Sequence, residues 1–141
     1  MKIIGFRAEH LENLTLQPAQ SDMARYMSQS YGTALAQSGN AFTAIKGGRV
    51  LGCAGVELIW ANRGIAWSLL GKMTGPEMLG IHRRVSEFLN KQSLRRIEMT
   101  VDAAHTAGHR WARMLGFQLE GRLQAYTPEG RDCDLYARIK R

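Results

Sequence analysis

Hydrophobic positions along this chain change period several times, and each change marks an element. Lys2–Phe6 is a short apolar run suited to opening a sheet. After the breaker Pro18, Ser21 or Asp22 supplies an N-cap, and Ala24, Met27, Tyr31, Ala34 and Leu35 then recur at three- and four-residue steps as far as Gly39. That spacing predicts a helix over about 21–38. Ala41–Lys46, Val50–Trp60 and Gly64–Leu70 read as three strands of an antiparallel meander, divided by Gly47-Gly48 and by Asn62-Arg63-Gly64. Pro76 fits a first helical turn, Thr74 and Glu77 stand at capping-box spacing, and Met78, Ile81, Val85, Phe88 and Leu89 share a face, predicting a helix over 76–91. In Arg95–Val101, Ile97, Met99 and Val101 alternate with Glu98 and Thr100, the period of a strand. His105–Leu115 is helical by the spacing of Ala107, Trp111, Met114 and Leu115, with Gly116 as a left-handed cap. The tail reads as a hairpin of Phe117–Tyr126 and Cys133–Ile139 around Thr127-Pro128-Glu129-Gly130.

This order predicts an α/β protein: a mixed sheet of six or seven strands covered by helices. At 141 residues the chain is expected to be a single domain over 1–141. With 45% hydrophobic and 22% charged residues its composition is that of a globular protein. Nineteen basic residues against twelve acidic leave a net charge of +7, so nucleic acid, acidic lipid and phosphorylated cofactors are all candidate partners by charge. No helix-turn-helix, zinc-finger or RNP1 pattern accompanies the charge, which makes nucleic acid the weaker candidate. Cys53 and Cys133 lack the spacing of a zinc knuckle or redox pair, and a reduced, cytoplasmic protein is expected. The start of the chain has no signal-peptide core, and no run approaches the roughly 18 apolar residues of a membrane span.

One junction stands out. Between the strand ending at Leu70 and the helix beginning near Pro76, backbone N–H groups converge at a helix N-terminus, the geometry that holds phosphates. The segment Trp67-Ser68-Leu69-Leu70-Gly71-Lys72-Met73-Thr74-Gly75-Pro76 resembles the pyrophosphate loop of the GNAT superfamily of acetyl-CoA-dependent N-acetyltransferases, Q/R-x-x-G-x-G/A. Lys72 stands three before Gly75 as in that pattern, but Glu77 replaces its second small residue. The run His105 to Phe117, ending in Leu115-Gly116-Phe117, resembles the family's closing helix and turn more fully. Small size, the shortened loop, and the run His109-Arg110-Trp111 through Gly116-Phe117 to Glu120-Gly121 are most similar to acetyltransferase-like proteins of bacteriophages and prophages, including internal virion proteins of short-tailed phages.

The resemblance implies a GNAT-like acyl-CoA N-acyltransferase fold, acetyl-CoA as donor, and an amine as acceptor. Leu69 and Leu70 are then expected to offer strand-edge amides to the pantetheine arm, and Gly71, Lys72, Met73, Thr74 and Gly75 to wrap the pyrophosphate, with Lys72 as a point charge. Arg83-Arg84 is a weaker candidate for the 3′-phosphate. Glu57 and Ser68 are the candidate proton-handling groups, and His105 takes the place of an asparagine that touches the cofactor arm. For Glu57, strand parity decides, and an exposed strand carboxylate is the plain alternative. Ala112 stands where many relatives place an acid tyrosine, which favours a competing reading, a phage structural or interaction protein that keeps the fold without catalysis. His105 and His109, one helical turn apart, could join Cys53 or Cys133 around a metal, but ordinary helix positions are the commoner meaning, and no metal is assigned. Trp60, Trp67 and Trp111 line either an acceptor pocket or a core. The 131–141 strand offers an edge for a homodimer.

Overall fold

The computed structural model describes residues 1–18, 20–21, 29–37 and 40–141. Strands are β1 (Lys2–Gly5), β2 (Ala41–Lys46), β3 (Arg49–Trp60), β4 (Arg63–Leu70), β5 (Arg96–Asp102), β6 (Gln118–Leu123) and β7 (Cys133–Ile139); helices are α1 (Gln29–Gln37), α2 (Gly75–Lys91) and α3 (Thr106–Met114). They form one seven-stranded mixed sheet in the order β1-β2-β3-β4-β5-β7-β6, flanked by helices. β4 and β5 run parallel, and the ladder joins Arg63–Ile65 to Arg96–Glu98.

Contacts divide the chain into two compact units, Met1–Glu57 with Ala66–Asn90, and Leu58–Ile65 with Lys91–Arg141. In the first, Phe6, Leu11, Leu14, Leu16, Leu35, Val50, Cys53 and Leu69 form a buried cluster against which Trp67 packs. The β2–β3 hairpin turns on Gly47 and Gly48, both at positive φ, as a two-residue hairpin turn requires. In α2 the buried positions Glu77, Ile81, Val85 and Leu89 repeat every four residues, so a carboxylate sits on the same stripe as the apolar side chains. A short 3-10 turn at Ala8–Leu11, absent from the sequence reading, lies against α1 so closely that a Cβ on Gly32 would stand 3.0 Å from the Ala8 Cα. Of the helix predicted over 21–38, Gln29–Gln37 is observed and 22–28 and 38 lie outside the described residues.

In the second unit, α3 turns small residues inward. Gly108 and Ala112 are buried whereas Met114 is 60% exposed, so of the predicted face of Ala107, Trp111, Met114 and Leu115 only Leu115 is fully buried, and Gly108 and Ala112 join it. Gly116 does take the left-handed cap conformation, at φ 89°. β7 pairs with β5 on one side and β6 on the other, so the free edge belongs to β6 and not to the 131–141 strand. Among the described residues no helix is long and apolar enough to cross a membrane.

Candidate active site around the β4 edge and the β4–α2 loop

Successive residues of a strand point their N–H and C=O groups to opposite edges. The Gly71 N–H bonds the Leu51 carbonyl of β3 (2.8 Å), which turns the polar groups of Ser68 and Leu70 to the other edge of β4. Those groups have partners supplied by this chain. The Gln20 side-chain amide donates to the Ser68 carbonyl (2.8 Å), and its oxygen accepts from the Leu70 N–H (2.8 Å). The Leu70 carbonyl accepts from the Gln17 N–H (2.8 Å), and Leu16 bridges Gly71 in antiparallel fashion. A carboxamide therefore occupies both the Ser68 carbonyl and the Leu70 N–H on this edge. Leu69 directs its side chain into the core cluster and is 3% exposed.

The following loop is arranged by α2's cap. Thr74 N–H donates to Glu77 Oε1 (2.9 Å) and Glu77 N–H to Thr74 Oγ1 (3.2 Å), the reciprocal capping box expected from the sequence. Glu77 is only 5% exposed and binds Arg49 (2.8 Å) and Lys46 (3.4 Å). The Thr74 N–H, and after it Arg49 and Lys46, hold its carboxyl at about 2 despite burial, so it stays ionised. Arg49 also donates to the Lys72 carbonyl (3.1 Å). Gly71 is tightly packed, since a Cβ would stand 3.1 Å from the Thr15 carbonyl and 3.2 Å from that of Leu51. Gly75 is not, for nothing lies within 4 Å of its missing Cβ.

As a cradle for a pyrophosphate the loop fits poorly. Pro76 has no N–H, those of Thr74 and Glu77 are engaged in the cap, and a permanent negative charge already occupies the helix N-terminus. Positive charge comes from side chains instead: Lys46 and Arg49, each more than half exposed beside Glu77, and the exposed Lys72. Met73 is half-buried and Thr74 exposed. The β4 edge, by contrast, presents a carbonyl and an N–H, both bound by the Gln20 carboxamide.

Glu57 is exposed near the end of β3, and Ser68 is half-buried on β4. His105 belongs to the second unit, at the N-cap of α3, with its ring over the helix start; a Cβ on Gly108 would fall 2.5 Å from its Nδ1. Ala112 is 0% exposed, so this chain gives the tyrosine position to its core. Cys53 is buried beside Thr43, and burial pushes its thiol up to about 11, which keeps it protonated and a poor ligand or nucleophile. Among the described residues no three His, Cys, Asp or Glu side chains gather as a metal site. Trp67 packs edge-on against Phe6 in the first unit, whereas Trp60, in the second, is 61% exposed under the Arg63 guanidinium, so Trp60 is not core.

Sequence reasoning missed two features. Gln20 is a lone polar residue with no periodic signal, and it meets Leu70 across 50 positions. His109 lies beside an open cleft of about 580 Å³ lined also by Thr106, Arg113, Asp134 and Tyr136. Its Nε2 meets the Ala103 carbonyl (3.0 Å) and its Nδ1 the Tyr136 hydroxyl (2.8 Å).

Comparison with solved structures places this architecture among the GNAT acetyltransferases. A GNAT-family acetyltransferase from Streptococcus pneumoniae matches with a TM-score of 0.69 at 16% identity, covering 99% of both chains. Ard1 from Thermoplasma volcanium matches at 0.79 and 15% identity, over 98% of this chain and 96% of that one. A ribosomal-protein-alanine N-acetyltransferase from Brucella melitensis matches at 0.69 and 13% identity, over 99% and 100%. No family model and no curated protein matches the sequence. The fold is that of the GNAT acyl-CoA N-acyltransferases.

Proposed function

We propose that this protein is an acetyl-CoA-dependent N-acetyltransferase acting on a primary amine. The observation that carries the reading is the edge of β4, where Ser68 and Leu70 present a carbonyl and an N–H that already pair with a carboxamide. A pantetheine arm offers secondary amides of the same chemistry, and pairing along a strand edge would align its thioester with β4. Lys72, Lys46 and Arg49 are the cations that would meet the phosphates. In the transfer, the neutral amine nitrogen attacks the thioester carbonyl carbon, the C–S bond breaks, the thiolate leaves, and the nitrogen's surplus proton passes to a base or to the thiolate. Glu57 and Ser68 are our candidates for that proton.

Glu77 favours a second reading. An ionised carboxylate at the helix N-terminus takes up the charge of Arg49 and Lys46 and the cap N–H groups that a pyrophosphate would need, as expected of a phage-type protein that keeps the fold for assembly and not for catalysis. Thermal unfolding with and without acetyl-CoA separates the two. At about 100 times Kd the ligand adds roughly 2.7 kcal/mol, a rise of several degrees for a domain of this size. The Lys72→Ala, Gly75→Asp double variant should lose that rise. No rise at millimolar acetyl-CoA would sink the enzyme reading.

A further inference from the structure

The Leu16–Gln20 segment has two unlike anchors. Leu16 is fixed, 8% exposed in the core cluster with Leu14 and Leu69 and bridged to Gly71. Gln20 is a half-buried polar tip whose two strong bonds go to Ser68 and Leu70, with a longer one from the Gln17 side chain (3.4 Å). Opening the tip has a small net cost, because a carboxamide exchanges protein partners for water. Pro18 has no N–H to extend the ladder beyond Gln17, and Gln20 meets the strand through its side chain.

We propose that Gln20 is an intramolecular surrogate for the amide of the acyl carrier arm, holding Ser68 and Leu70 in the ligand-free chain and giving way when an amide-bearing acyl thioester binds. The inference rests on the acetyl-CoA reading above. The match is chemical: the Gln20 side chain supplies a donor to the Ser68 carbonyl and an acceptor to the Leu70 N–H, both at 2.8 Å, the two kinds of group that the amides of the arm carry. A ligand amide cannot occupy the edge with Gln20 in place, since the Leu70 N–H is a single donor. Release at Gln20 leaves the Leu16 bridge and the Gln17 to Leu70 bond intact, so the segment opens at its tip and not as a whole. Apparent affinity for the donor is thus lowered by the fraction of chains in which the tip is closed.

The test is isothermal titration of the wild type, Gln20→Ala and Gln20→Glu with acetyl-CoA, with pantetheine, and with adenosine 3′,5′-bisphosphate, which lacks the arm. Gln20→Ala should bind acetyl-CoA and pantetheine about tenfold tighter, the factor set by about 1.4 kcal/mol, with the bisphosphate unchanged. Gln20→Glu keeps an acceptor for Leu70 and loses the donor to Ser68, so its gain for pantetheine should be smaller. Amide exchange at Leu70 should quicken in Gln20→Ala without ligand, while the unfolding midpoint moves little. Equal acetyl-CoA affinity in wild type and Gln20→Ala, or weaker binding by the variant, overturns the surrogate role alone. Binding of acetyl-CoA by none of the three chains overturns the acetyl-CoA reading and the surrogate with it.

Discussion

Removing the Tyr136 hydroxyl tests the polar contact buried under α3. Tyr136 is 0% exposed, and its hydroxyl lies 2.8 Å from His109 Nδ1. The Ala103 carbonyl, 3.0 Å from Nε2, can only accept, so Nε2 carries a proton; in the neutral ring Nδ1 is then the acceptor and the tyrosine donates. Tyr136→Phe keeps the ring and leaves Nδ1 without its donor. A net hydrogen bond is worth about 0.5–1.5 kcal/mol, and a stranded buried acceptor costs about 1–3 kcal/mol. The His109 side chain is 14% exposed beside the open cleft, so water relieves part of that cost and we expect about 1–2 kcal/mol. With a urea slope of about 1–3 kcal/mol per molar, the midpoint should fall by roughly 0.5–1 M at unchanged slope. His109→Leu strands the hydroxyl in its turn, whereas the double variant removes both partners. The cycle should show the double variant more stable than the sum of the singles by about 1 kcal/mol. Additivity within about 0.3 kcal/mol would refute the bond and reduce both residues to packing.

Three further outcomes follow from the same geometry. A Cβ on Gly55 would stand 2.7 Å from the Asn40 carbonyl and from Ala41 Cβ, so Gly55→Ala should cost about 1–3 kcal/mol, while Gly121→Ala, with nothing within 4 Å, should leave the urea midpoint in place. Because the Glu77 carboxyl lies at about 2 when folded against an ordinary 4.5, its contribution is present above pH 4.5 and is lost as pH falls towards 2. Glu77→Gln should therefore flatten part of the stability slope across that window, measured by urea midpoints, with Glu98, also held at about 2 by Arg63 and Arg96, and the lowered carboxyls of Asp102, Glu120 and Asp134 supplying the slope that remains. Gly75→Ala should leave acetyl-CoA affinity unchanged in titration, since nothing packs on that face; a large loss would mean that a ligand does.

The sequence determined the elements and much of their order, because local signals suffice for them. Gly47-Gly48 and Gly116 mark turns where the backbone needs positive φ, the face of Met78, Ile81, Val85, Phe88 and Leu89 makes α2 amphipathic, and Thr74 with Glu77 caps it. Those are interactions within a few residues, and composition writes them plainly. Tertiary structure decided what local pattern does not encode. It inserted β7 between β5 and β6, since strand order depends on which edge a returning segment meets. It turned the smallest side chains of α3 inward, because close approach to the sheet outweighed hydrophobic size. It brought the Gln20 carboxamide to an edge fifty residues away, a contact with no repeat or motif to announce it. And it made Glu77 a buried ion rather than a solvated one by placing Arg49 and Lys46, from another strand pair, over its carboxylate.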